Sequence, residues 1–326
     1  MRTIVVPGFE NEIPVLGFGC SSLTATGSRN GASLLKTAFD SGVRHFDVAR
    51  YYGYGEAEKI LRTLVKSHRS EITITTKFGI RPPGRASALR IALSAGRRFV
   101  RLMPTARKFM QNRAKILVTT GAFGVNDAQQ SLETSFRELG TDYIDFFLLH
   151  DYAVADPTSS ELLKFLDDAV AAGKIRSFGI GTDINNVLRA LEYQPALCKV
   201  IQFENSVLVQ NRKRLPLHTP SRLVVTHGSL GPSYRAVLSF LHANRDTARR
   251  WSAQLDMDCE KDDTIAALML NYAVEANPNG LVLFSSKNAE RITKNIRAVL
   301  EPSLASEQVA LFGQLVEQEL IPLIRK

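Results

Sequence analysis

Four ionisable side chains lie at or just past the ends of short apolar runs. They are Asp47 in RHFDVA, Tyr52 in RYYGYGE, Lys77 in ITITTKF and His150 in YIDFFLLH. These types suit proton transfer to a carbonyl. Reducing a carbonyl needs a hydride and a proton, and a phenol, with a pKa of about 10, is a weak acid at neutral pH. A nearby ammonium stabilises the phenolate and lowers that pKa. Lys77 is the residue to do this for Tyr52, Asp47 to hold Lys77 charged, and His150 to orient the carbonyl oxygen. Taken singly, each has a plainer explanation: a capping aspartate, a solvated lysine, a satisfied core histidine, a packed tyrosine with Tyr51 alongside it. Jointly they become informative, because a fold that gathers three strand ends would set all four at one mouth.

The elements that could gather them are legible as alternation. Strand candidates are 13–18, 44–49, 72–78, 143–150, 175–182, 199–204, 222–227 and 280–286. Helix candidates are 31–41, 56–67, 127–139, 159–173, 184–192, 232–250, 262–276 and 289–299, with a last one at 305–320. Strands alternating with helices give an α/β fold with a parallel sheet, and near-continuous apolar strands fit burial on both faces. Eight such units in 326 residues fit a closed (β/α)8 TIM barrel better than an open sheet. No low-complexity linker divides the chain, so a single domain over 1–326 is expected. Asp47 and Lys77 are 30 residues apart, but Lys77 and His150 are 73 apart. The excess is an insertion after the third strand, over 80–120, on the face where barrel loops carry function.

Composition narrows the class. With 44% hydrophobic and 22% charged residues the chain is that of a folded protein. Its three cysteines, Cys20, Cys198 and Cys259, are far apart and form no CxxC pair, so reduced thiols are expected. No leader-like start and no apolar run near ~20 residues occurs, and a cytoplasmic location is expected. Ten of the 41 basic residues fall between Arg81 and Lys115, and no acid occurs between Glu71 and Asp127. The remaining 31 are balanced by 32 acids, so one element carries the whole excess and a general nucleic-acid surface is not expected. Gly53-Tyr54-Gly55-Glu56-Ala57-Glu58 lacks the last glycine of a dinucleotide-binding fingerprint. GxxxxGK[ST], HExxH and GxSxG do not occur, so there is no support for nucleoside triphosphatase, zinc protease or hydrolase chemistry, and no metal is expected.

The segment GVRHFDVARYYGYGEAE resembles the aldo-keto reductase signature, with its aspartate and a tyrosine five residues later. ITITTKFG resembles that family's lysine strand, and SLETSFRELGTDYIDFFLLHD its helix and histidine strand. GKIRSFGIGTD, VIQFENS and LVLFSSKNAERITKNI resemble later blocks, in order, so the likeness spans nearly the whole chain outside about 80–120. The resemblance implies Asp47, Tyr52, Lys77 and His150 as a catalytic tetrad and an extended nicotinamide dinucleotide across the barrel mouth. Gln202 matches the carboxamide-binding position, with Asn205 beside it. Where the family has Ser-Asn, this chain has Gly181-Thr182, so Thr182 replaces one donor only in part. His227 stands where an aromatic residue stacks on the nicotinamide. Gly228, Ser229, Leu230 and Gly231 could offer backbone N–H groups to the pyrophosphate. Ser286, Lys287 and Arg291, beside a helix start, suit a 2′-phosphate, which favours NADP(H) over NAD(H). Asn295 matches an adenine contact, and Lys294 replaces a frequent glutamate and adds positive charge. The implied reaction interconverts an aldehyde, ketone or aldose sugar with an alcohol. The alternative is a catalytically quiet, cofactor-binding regulatory subunit.

The basic insertion admits three readings. Arg90, Arg97 and Arg101 would share one helix face, with Leu89, Leu93, Val100 and Met103 as an apolar stripe and Pro104 as its end. Such a helix could be a lid, could steer an anionic substrate to the mouth, or could rest on an anionic membrane through 81–115.

Overall fold

The computed structural model describes residues 2–6, 12–81, 120–156, 158–216, 222–300 and 304–324. Eight parallel strands close into a barrel: β1 (Leu16–Gly19), β2 (His45–Asp47), β3 (Thr73–Phe78), β4 (Ile144–His150), β5 (Ile175–Gly181), β6 (Val200–Glu204), β7 (Leu223–His227) and β8 (Leu281–Phe284). Each pairs with its sequence neighbour, and β8 returns to β1 with Val282 opposite Leu16. The strands are buried nearly throughout because helices cover the barrel and side chains fill it. Gly179 on β5 permits one close approach: a Cβ there would lie 1.8 Å from the Val200 carbonyl oxygen on β6.

The surrounding helices are α1 (Ser28–Asp40), α2 (Glu56–His68), α3 (Val125–Leu139), α4 (Ser160–Ala171), α5 (Ile184–Tyr193), α6 (Pro232–Ala243), α7 (Arg245–Leu255), α8 (Asp262–Ala276), α9 (Ala289–Leu300), α10 (Ser306–Leu315) and α11 (Ile321–Ile324). Their ends follow local chemistry. Ser159 caps α4 by accepting from the Leu162 N–H at 3.3 Å, and Gly173 follows its end at φ 70°. Acids open α2 (Glu56, Glu58) and bases close it (Lys66, His68), which complements the helix dipole. Among the described residues only a short 3-10 turn, Asn211–Arg214, lies between β6 and β7.

Three elements differ from the sequence reading. The apolar run 13–18 is divided: Ile13–Pro14 pairs antiparallel with Thr3–Ile4, and β1 begins only at Leu16. The expected helix 232–250 breaks at Asn244 (φ −124°, ψ 71°), whose side-chain amide donates to the Phe240 carbonyl at 2.8 Å. The expected helix 305–320 ends at Leu315 and passes through a wider π turn, Val316–Leu320, into α11. The basic insertion falls almost entirely outside the described residues, and with it the expected helix bearing Arg90, Arg97 and Arg101. Arg81, at its start, donates to Asp127 of α3 at 2.7 Å.

Among the described residues two apolar cores result. The larger joins the barrel to its helices, with Phe18, Phe46, Phe146, Phe178 and Phe203 fully buried. The smaller packs Val237 and Leu241 of α6, Trp251 and Leu255 of α7, Ile265 and Met269 of α8 and Phe312 of α10. No helix among the described residues is long and apolar enough to cross a membrane.

Candidate active site

The strand register brings the four sequence-distant groups together. Asp47 ends β2 opposite Gly19 and Thr75, Lys77 lies near the end of β3 opposite Leu148, and His150 ends β4 opposite Gly181. Alternation along β3 turns Lys77 toward the mouth and Thr76 outward to the helices. Lys77 Nζ donates to both Asp47 carboxylate oxygens at 2.7 Å and to the Val48 carbonyl at 3.2 Å. It lies 5.3 Å from the centroid of the Tyr52 ring. The Tyr52 and His150 rings meet edge to face at 5.9 Å. Tyr51 also approaches His150, at 6.3 Å.

Tyr52 is held at a sharp turn. Gly53 (φ 61°), Tyr54 (φ 56°) and Gly55 (φ 88°) follow it in left-handed conformation, which turns the chain from the mouth back into α2. Two glycines supply this cheaply, whereas Tyr54 carries strain.

Burial governs the electrostatics. It pushes the Tyr52 phenol above its usual pKa, and the charge of Lys77 only partly offsets this. The sequence led to the opposite expectation, a phenol lowered by Lys77; the depth of the site overrides it. Burial also works against the Lys77 ammonium, but Asp47 and Tyr52 more than compensate and its pKa is raised. Burial, followed by the Lys77 charge, drives His150 down to about 3, so its imidazole is neutral.

These groups line one cavity of about 550 Å³ at the C-terminal ends of the strands. Of the residues expected at a cofactor site, Thr182, Gln202, His227, Ser229 and Leu230 line it as well. Ser286, Lys287, Arg291 and Asn295 do not; they lie before and along α9, with Lys287 and Arg291 exposed and Asn295 buried. Lys294 does not add free positive charge as expected, because Asp263 and Glu290 each bind it at 2.8 Å.

Gln202 spends its amide N–H on Asp47 at 2.8 Å, which leaves its carbonyl oxygen as an acceptor. Asn205, also buried, accepts from the Arg212 N–H, and its own Nδ2 has no hydrogen-bond partner among the described residues.

The sequence reading missed Ser21, Asp151, Asp183, Glu204 and Asn211 in this lining. Two had a signal. Asp183 precedes a helical pattern and caps α5, accepting from the Asn185 N–H at 2.9 Å. Glu204 is the last residue of β6, directly opposite His227. Asp151 left none, since its left-handed backbone (φ 54°) is a property of the folded loop.

Residues 15–219 match the model of the aldo/keto reductase family. A pyridoxal 4-dehydrogenase of Microbacterium luteolum is 27% identical over 319 residues, 87% of this chain and 89% of that protein. A D-threo-aldose 1-dehydrogenase of a Pseudomonas species is 27% identical over 54% of this chain and 52% of that protein. An aldo-keto reductase of Alternaria alternata is 28% identical over 46% of this chain, but the match spans only 39% of that protein's length. Among solved structures, an aldo-keto reductase of Bacillus halodurans in its holo form superposes with a TM-score of 0.70 at 19% identity, covering 97% of this chain and 96% of that one. An aldo-keto reductase of Klebsiella pneumoniae in complex with NADPH gives 0.65 at 18% identity, covering 97% and 95%. At these identities the superpositions speak to the fold alone.

Proposed function

Because this chain belongs to the aldo/keto reductase family, we propose that it is an oxidoreductase that interconverts a small carbonyl compound and the corresponding alcohol with NADP(H), using Tyr52 as the proton donor. The observation that carries the reading is the closed arrangement of Lys77 on both Asp47 oxygens with Tyr52 and His150 around one cavity. The residues present fit a nicotinamide carboxamide, which has one donor group and one acceptor. Gln202 keeps its carbonyl oxygen at the cavity as the acceptor for that amide; Asn205, whose buried Nδ2 has no hydrogen-bond partner among the described residues, does not line the cavity. Lys287 and Arg291 form no ion pair among the described residues and would hold a 2′-phosphate. Bound there, NADP(H) supplies or accepts the hydride.

The protein's own groups handle the proton and the charge. Neutral His150 donates a hydrogen bond to the carbonyl oxygen and orients it. Tyr52 gives that oxygen its phenolic proton as negative charge builds there. The phenolate left behind faces the Lys77 ammonium, which Asp47 keeps charged and fixed. In the alcohol-oxidising direction the same phenolate is the base.

Aldehydes, ketones and aldose sugars fit this chemistry. An anionic substrate draws no support from the described lining, which carries Asp151, Asp183 and Glu204 at its edge. The test is NADPH oxidation against a panel of such carbonyls, with Tyr52→Phe as the control. Losing a positioned acid should lower kcat by ~10²–10⁴-fold while NADPH affinity hardly changes. A Phe variant that keeps most of the activity would remove Tyr52 from this role. Tight NADPH binding with no turnover on any carbonyl would favour a regulatory subunit instead.

A further inference from the structure

Glu58 is fully buried in the first turn of α2, and the chemistry above does not use it. Its Oε1 accepts from Thr76 Oγ1 on β3 at 2.8 Å and from Ser135 Oγ on α3 at 2.7 Å. Its Oε2 has no hydrogen bond among the described residues and lies 3.6 Å from the Arg50 guanidinium. A buried carboxylate oxygen left without a hydrogen bond calls for a reason. Both ends of this contact lie on the segment that presents the acid. Arg50 sits between Asp47 and Tyr52, and Glu58 lies just after the left-handed turn that follows Tyr52. Thr76, to which Glu58 is fastened, immediately precedes Lys77. The start of the segment is tied to β3 as well, by the Val48 N–H to the Thr75 carbonyl at 2.8 Å and by Lys77 to Asp47 and the Val48 carbonyl. A turn with a strained Tyr54 persists only where its surroundings hold it.

Resting on the reading of Tyr52 as proton donor, we propose that the Glu58–Arg50 pair is a positioning device: it clamps the Tyr52 turn against β3 and so sets the phenol beside Lys77. Arg50 and Glu58 are positioning residues that touch no reacting atom. The hydroxyls of Thr76 and Ser135 fix where the carboxylate sits, and its charge draws Arg50, and the turn with it, inward.

The experiment compares the parent with Glu58→Gln, Arg50→Gln and the double variant, and with Thr76→Val and Thr76→Ser. Three quantities are read: kcat for carbonyl reduction, the NADPH Kd, and the Tyr52 phenol titration, obtained as the ultraviolet difference from the same protein carrying Tyr52→Phe. Glu58→Gln keeps an oxygen for both hydroxyls and removes the charge facing Arg50. It should lower kcat by about 10- to 100-fold, the scale of a small misplacement of a catalytic group, with Kd changed less than about twofold. The phenol should titrate at higher pH, because it has moved off the ammonium. Arg50→Gln should do the same, and the double variant should be no worse than either alone. Thr76→Val should repeat the loss in milder form and Thr76→Ser should restore it, which keeps the test open should a charge variant fail to fold. An unmoved phenol titration in folded Glu58→Gln and Arg50→Gln, or single losses that multiply in the double variant, would overturn the proposal. The titration needs no turnover, so a parent that oxidises no NADPH would count against the proposed function while the clamp is still decided.

Discussion

Burial fixes the protonation state of both groups that would meet the substrate oxygen. Tyr52 is a phenol to beyond its ordinary pKa of 10.0, and His150 is a neutral imidazole down to about 3. The reducing enzyme needs both in those states, so kcat for reduction should be flat between about pH 5 and about pH 9. The oxidising direction needs the phenolate, so its kcat should climb with pH across the alkaline range. Parallel pH–rate profiles in both directions check this. A step in the reduction profile near the ordinary imidazole value of 6.5 would mean that water reaches His150 in the working enzyme.

The ends of the elements decide where chemistry can occur. Asp47, Lys77 and His150 were readable because each closes or nearly closes an apolar run, and a parallel barrel turns strand ends into a common mouth. The break at Asn244 was not readable, because apolar spacing continues through a residue whose amide ties back to Phe240. Glu58 was visible only as part of a failed glycine pattern; that α2 buries it against Thr76 and Ser135 follows from helix packing, not from spacing. The sense of the Tyr52 shift depended on depth, which charge pairing along the sequence does not report. The stretch before α9 and its first turn remain the element to test for cofactor choice. Lys287→Ala combined with Arg291→Ala should weaken NADPH by about 1.5–3 kcal/mol for each charge-assisted bond lost and leave NADH nearly unaffected. Calorimetric titration with both cofactors measures the difference, and equal losses would separate these residues from the phosphate.

The barrel interior also links folding to pH. His45 is fully buried between Thr73 and Thr75, with Nδ1 2.9 Å from one hydroxyl and Nε2 3.3 Å from the other, and burial lowers its pKa from 6.5 to about 4. A histidine lowered in the folded state stabilises fully above the unfolded value of 6.5, and that contribution is lost as pH falls toward 4. The amount is on the order of 3 kcal/mol. Glu58 and Asp145, which burial raises, act in the opposite sense in acid, so the comparison with His45→Gln isolates the histidine. Denaturant melts at pH 7 and pH 4.5 should show the parent losing more stability than His45→Gln; equal losses would mean His45 titrates normally. The strand pair Thr3–Ile4 and Ile13–Pro14 bears on the protein in another way. With Ile4, Val6 and Ile13 buried, it packs into the larger core directly ahead of β1. A substrate and a product that shared the mouth of the cavity would contend for it, and accumulating product would then slow its own formation.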